Sequence, residues 1–133
     1  MKDNELQGNE KIEEAIMALQ QQPTQEMLAH TLTLIRRRMQ EKGQFVIAIE
    51  PPTTENQFKL QSITTDDGRL WWMAFTSFEE ELKGSGSVMS TFMADIRQLL
   101  TSALQTDSIA GIILNPWNRT IMLDKNLIQI TLG

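Results

Sequence analysis

The chain reads as an α+β domain: one mixed or antiparallel β-sheet with helices packed against it and a helical hairpin at the N-terminus. Apolar residues recur at steps of three and four in two early segments, and the period shortens at Phe45. Helical and strand-like stretches then alternate to the end of the chain. At 133 residues and 41% hydrophobic, it has enough material for one core of ordinary size, so one domain over residues 9–133 is expected, preceded by a polar, disordered tail over residues 1–8.

The first helix is expected over residues 9–22, where Ile12, Ile16 and Leu19 form one apolar stripe flanked by Ala15 and Met17. Pro23 ends it. Thr24 then offers an N-cap oxygen, Glu26 suits the first turn, and Leu28, Leu32, Ile35 and Met39 continue the stripe until Gly43, which predicts a second helix over about residues 25–41. The short Pro-Thr connection makes a helical hairpin the simplest arrangement.

Phe45-Val46-Ile47-Ala48-Ile49 is short, apolar and β-branched, and Pro51-Pro52 stops it, so it reads as a buried strand. Phe58, Leu60 and Ser62 alternate with Lys59 and Gln61, and after Asp66-Asp67-Gly68 a second strand resumes from Arg69 to Thr76. That is a β-hairpin with an Asp-Gly turn. Both faces of its second strand are apolar, Leu70, Trp72 and Ala74 on one side and Trp71, Met73 and Phe75 on the other, which places it at the sheet centre. Ser77 with Glu80 matches a capping box for a short helix ended by Gly84, and Lys83-Gly84-Ser85-Gly86-Ser87 reads as a flexible connector. Met89, Phe92, Met93, Ile96, Leu99, Leu100, Ala103 and Leu104 predict a helix over about residues 88–105. Ile109–Leu114 is expected as a buried strand, Asn115-Pro116-Trp117-Asn118 as a turn, and Thr120–Leu123 as a last short strand. Asp124 then caps a final helical turn through Leu127 and Ile128.

Composition narrows the function. There is no cysteine, hence no disulfide, thiolate nucleophile or zinc–thiolate site, in agreement with a reducing, cytoplasmic compartment. The start carries no apolar block behind basic residues, and no apolar run reaches the roughly 20 residues of a membrane span, so neither secretion nor membrane insertion is expected. A net charge of −5 repels phosphate backbones and anionic lipid, which argues against nucleic acid as a partner.

Each candidate for chemistry has a structural explanation. His30, the only histidine, sits beside Leu28 and Leu32 in the second helix and reads as a half-buried packing residue. The Lys83–Ser87 loop precedes a helix but lacks the spacing of a phosphate loop. Asp66-Asp67 makes a hairpin turn and Glu79-Glu80-Glu81 complements a helix N-terminus, so no metal site is expected from either. Arg36-Arg37-Arg38 sweeps about 200° of its helix and compensates the dipole instead of forming one basic face, while leaving one or two arginines able to pair with an acidic group. The aromatic set Trp71, Trp72, Phe75, Phe78 and Trp117 is less fully explained by packing. Trp117, in a turn, is either a lid over the sheet edge or a contact residue for a ligand or partner.

Two stretches, Leu70-Trp71-Trp72-Met73-Ala74-Phe75-Thr76-Ser77-Phe78-Glu79-Glu80-Glu81-Leu82 and Ile109-Ala110-Gly111-Ile112-Ile113-Leu114-Asn115-Pro116-Trp117, resemble the SseB protein N-terminal domain family, as does the early helix pair around Pro23-Thr24. The resemblance covers most of residues 10–131. It implies an α+β fold and a bacterial cytoplasmic protein without established catalytic residues. Some relatives carry a C-terminal extension that this chain is expected to lack, so no function residing there carries over. It also implies that the turn at Phe75, Thr76 and Ser77 lies near the turn at Asn115 and Pro116 at one sheet end, around a polar-rimmed, aromatic-floored groove.

The expectation from sequence is therefore a non-catalytic protein-binding or regulatory module, immunity- or chaperone-like in type, using no cofactor and contacting a protein partner through Trp117, Asn115, Phe75, Thr76, Ser77 and Phe78. The alternative is a small-molecule or anion-binding domain with its pocket near Thr76-Ser77 and Asn115-Pro116. Homodimerisation through apolar surface left by Met89, Phe92 and Met93 is a further possibility.

Overall fold

The structure, a computed structural model, describes residues 8–50, 59–77, 90–117 and 119–133. The expected tail lies outside these residues except for Gly8. Phe78, Glu79–Glu81, the Lys83–Ser87 loop and Met89 also lie outside them.

The helical hairpin forms as the apolar spacing requires. α1 spans Asn9–Gln21 and buries Ile12, Ala15 and Ile16; α2 spans Gln25–Gln40 and buries Leu32, Ile35 and Met39. Thr24 caps α2, its hydroxyl oxygen accepting from the Met27 N–H at 3.1 Å, and Pro23 lies in the link between the helices. His30 departs from expectation. It is exposed, because its position on α2 faces away from the stripe of Leu32 and Ile35 and onto the rim of a shallow cleft between α1 and α2.

Among the described residues the strands divide into two hydrogen-bonded sheets where one was expected. In the first, β1 (Gln44–Glu50) lies between β2 (Lys59–Leu60) and β5 (Ser90–Asp95), all antiparallel. In the second, β3 (Ser62–Thr64), β4 (Leu70–Ala74), β6 (Gly111–Leu114) and β7 (Ile121–Asp124) lie in that order, and only β4–β6 is parallel. The sheets meet at two places. Val46 and Phe75 exchange both backbone hydrogen bonds at 2.8 Å, while Gln61 donates to Ala48 at 2.8 Å and accepts from Met73 at 3.1 Å. Gln61 is thus where one extended segment leaves β1 and joins β4. β4 is central, as its two apolar faces required. Trp71 is buried on one face and Trp72 packs partly buried on the other. The hairpin turn follows the Asp-Gly expectation, with Gly68 at φ 84, a conformation that glycine adopts without a Cβ clash.

The helix expected over 88–105 is overturned in its first part. Residues Ser90–Asp95 form β5, and the helix, α3, spans only Ile96–Gln105. Phe92, Met93 and Ala94 are consecutive apolar residues and so satisfy either period, while β1 had a full edge of backbone groups to pair. Asp95 marks the boundary, its carboxylate accepting from the Gln98 N–H at 3.1 Å. The final helix, α4, is longer than one turn, spanning Lys125–Leu132 behind Asp124, which accepts from the Leu127 N–H at 2.8 Å.

The helices cover one face of the sheets over a core that includes Ile16, Ile35, Phe45, Leu100, Ile112, Leu114 and Leu123. Each such fully buried side chain contributes about 1.5–3 kcal/mol relative to exposure. Val46, Met73 and Phe75 form a smaller cluster, with Ile63 against it. Gly111 is required by packing: a Cβ there would lie 2.1 Å from the Leu123 carbonyl oxygen. No helix among the described residues is long and apolar enough to cross a membrane.

Candidate functional site

Because β4 and β6 run parallel as neighbours, with Ala74 opposite Leu114, the residues that follow each strand emerge side by side. The Asn115 N–H donates to the Ala74 carbonyl at 2.8 Å. This brings the Phe75-Thr76-Ser77 turn and the Asn115-Pro116 turn together at one sheet end, and the interior between them is polar.

Asn115 and Thr76 are both fully buried. The Asn115 Oδ1 accepts from the Thr76 N–H at 2.9 Å, and its Nδ2 donates to the Thr76 Oγ1 at 3.0 Å. The Thr76 hydroxyl donates to Glu13 Oε2, and Arg119 Nη1 donates to Glu13 Oε1 at 2.9 Å. Glu13 is 8% exposed, and a carboxylate so placed needs such partners, since burying an unpaired charge costs several kcal/mol, on the order of its lost hydration. On the other side of Thr76, Asn9 Nδ2 donates to the carbonyls of Thr76 at 3.0 Å and Gln44 at 2.9 Å. Its Oδ1 accepts from Arg38 Nε at 3.0 Å, and Arg38 also pairs with Glu41 at 3.0 Å. A continuous polar network therefore fastens α1 and α2 to the ends of β4 and β6.

The same network fixes the β6–β7 turn. Asn115 at φ 55 and Arg119 at φ 51 both hold left-handed backbone. The Thr120 hydroxyl donates to the Asn115 carbonyl, and Gln20 Nε2 reaches the Thr120 carbonyl at 3.4 Å. Trp117, at the tip of this turn, is 41% exposed. Glu13 and Gln20 lie about two helical turns apart on the α1 face that meets this turn. Met17, also 41% exposed, falls between them on that face.

Among the six residues expected from sequence, Thr76 and Asn115 touch directly, Ser77 and Trp117 lie at the same end, and Phe78 is outside the described residues. Phe75 is at the same end but 1% exposed and packed on Val46 and Met73, so it floors the site from within the core and offers no surface. Thr76 and Asn115 likewise direct their polar atoms at each other and at Glu13 instead of into a groove. Asn9, Glu13 and Arg119 were missed; Arg38 was expected only as one of the arginines able to pair with an acidic group, which it does with Glu41. For Glu13 the signal available was a carboxylate beside the apolar stripe of α1.

A family model, SseB protein N-terminal domain, matches residues 12–129. The chain belongs to that family. In this SseB N-terminal domain the matched span contains Glu13, Arg38, Thr76, Asn115 and Arg119, so the network lies within it except for Asn9. No curated protein and no solved structure matches the chain.

Away from this end, Asp67 in the β3–β4 turn has its carboxyl held below the usual range, first by the Thr65 hydroxyl and then by the Arg69 backbone N–H, which donates to it at 3.2 Å. Both partners lie within the turn, so this is a local device of the hairpin. Among the described residues there is no cluster of three or more His, Asp or Glu able to hold a metal ion.

Proposed function

We propose that this domain is a non-catalytic, cytoplasmic protein-binding module, with Trp117 as the anchor its partner recognises. The carrying observation is that an aromatic ring, 41% exposed, sits on a turn that a buried network holds in one conformation. A preorganised aromatic anchor loses little conformational freedom on binding, and residues of this kind dominate interface energetics. Met17, exposed on the α1 face that meets this turn, supplies an adaptable apolar contact, and the carboxylates of Glu10 and Glu14 on α1, with the overall charge of −5, favour a partner presenting basic residues around an apolar pocket. An immunity- or chaperone-like role is of this type.

The internal engagement of Thr76 and Asn115 weighs against the small-molecule or anion reading at this end, because the groups such a pocket would use already have partners. The test is affinity capture of the tagged protein from its own cytoplasm, read by mass spectrometry, with Trp117→Ala in parallel. A stoichiometric partner should be lost with the variant while its circular dichroism stays native. A partner retained equally by both proteins would refute Trp117 as the anchor.

A further inference from the structure

A second surface, formed by α2 and α4, has no role in that reading. Between the two helices lies a groove of about 350 Å³ with Leu32 and Thr131 in its floor and Leu28, Ala29 and Leu127 along its sides. Ile130, on its rim, is 56% exposed and is the most exposed of the large apolar side chains described. The surface therefore carries a depression and a projection of matching apolar chemistry side by side. A two-fold interface requires this self-complementarity, since each copy must offer what the other receives.

The charges along α2 follow the same symmetry. Gln25, Glu26, Ala29, Thr33 and Arg36 fall within a sector of about 100° on the helix. They are exposed, and at the middle of the sector Ala29 and Thr33 are small enough for close approach of another helix. Ala29 and Thr33 are centred on position 31, and so are Glu26 and Arg36. If a second α2 packs antiparallel about that level, each Glu26 comes level with Arg36 of the other copy, about 7.5 Å along the axis from the centre, with Arg37 one residue beyond. Among the described residues neither the Glu26 nor the Arg36 side chain makes a hydrogen bond or ion pair within its own chain. The Arg36 guanidinium lies against Gly133 at the end of α4, where a Cβ would come within 1.9 Å of its Nη2, so it sits on the shared face of both helices. A parallel arrangement would set Glu26 against Glu26 and Arg36 against Arg36.

We propose that the chain forms a symmetric dimer in which α2 packs antiparallel on α2 of a second copy and Ile130 of each copy enters the α2–α4 groove of the other. This face differs from the self-association expected around Met89, Phe92 and Met93, and it leaves Trp117 outside the contact.

Sedimentation equilibrium over about 1–300 µM tests it, with a dissociation constant on the order of 10 µM expected. Ile130→Glu should give a monomer with native circular dichroism. Glu26→Arg should weaken association by about tenfold or more, and adding Arg36→Glu with Arg37→Glu to it should restore the dimer, a rescue that a folding defect cannot imitate. Should Ile130→Glu fail to fold, this charge-reversal series decides alone. A wild-type chain that stays monomeric up to about 300 µM, or a dimer indifferent to Ile130→Glu and to the charge reversal, would overturn the proposal. Trp117→Ala should leave the dimer unchanged, so loss of partner capture and loss of dimerisation are separable.

Discussion

Replacing Asn115 by alanine tests whether the buried network holds the two turns together. Asn115 is fully buried, its Oδ1 is the acceptor for the Thr76 N–H at 2.9 Å, and its φ is 55. Alanine removes that acceptor from a site that water does not reach, and an unsatisfied buried donor costs about 1–3 kcal/mol. It also places a residue without a short polar side chain in the left-handed region, at about 1–2 kcal/mol. The expected destabilisation is about 3–4 kcal/mol, a large share of the 5–15 kcal/mol typical of a domain. Urea denaturation followed by circular dichroism measures it, provided the slope of the transition is unchanged. Asn115→Gly separates the two contributions, since glycine tolerates the backbone but still leaves the Thr76 N–H unpaired, and it should recover about 1 kcal/mol of the loss. If Asn115→Ala costs less than about 1 kcal/mol, the hydrogen bonds do not stabilise the site and the rigid display of Trp117 loses its physical basis.

Gly111→Ala should destabilise by at least about 3 kcal/mol in the same assay, because its Cβ would meet the Leu123 carbonyl oxygen at 2.1 Å and β6 and β7 would have to separate. Trp117→Ala should change stability by less than about 1 kcal/mol, as expected of a partly exposed turn residue, so a lost partner would report on the contact and not on the fold. Asp67 has its folded carboxyl held low, which means its contribution is present above the ordinary aspartate range and is lost as pH falls through that range and below it. Thermal melts of Asp67→Asn against wild type should therefore differ most near neutral pH and converge in acid; a difference that persists in acid would refute the assignment.

The helical hairpin, the capping roles of Thr24 and Asp124, the Asp-Gly turn and the central place of β4 follow from local signals, namely period, composition and the residue types that satisfy orphan backbone groups. Thr24, Asp124 and the turn were legible directly. Asp95 was not, because the apolar run Phe92-Met93-Ala94 suits helix and strand alike, and only the open edge of β1 decided in favour of a strand. The family and the meeting of the Thr76 and Asn115 turns were legible from two short motifs. What those residues do at the meeting point was not. Whether an asparagine or threonine faces solvent or a buried carboxylate depends on what lies across from it. Glu13 is 63 residues from Thr76 and 106 from Arg119 along the chain. Period and propensity act over one turn or one strand, so the sequence by itself determined the helical hairpin, the Asp-Gly turn and the strands β1, β4, β6 and β7, but not the strand β5 or the start of the helix that follows it. The division into two sheets, the burial of the polar network and the exposure of Trp117 and Ile130 were decided only by tertiary packing, which sets distant side chains against one another.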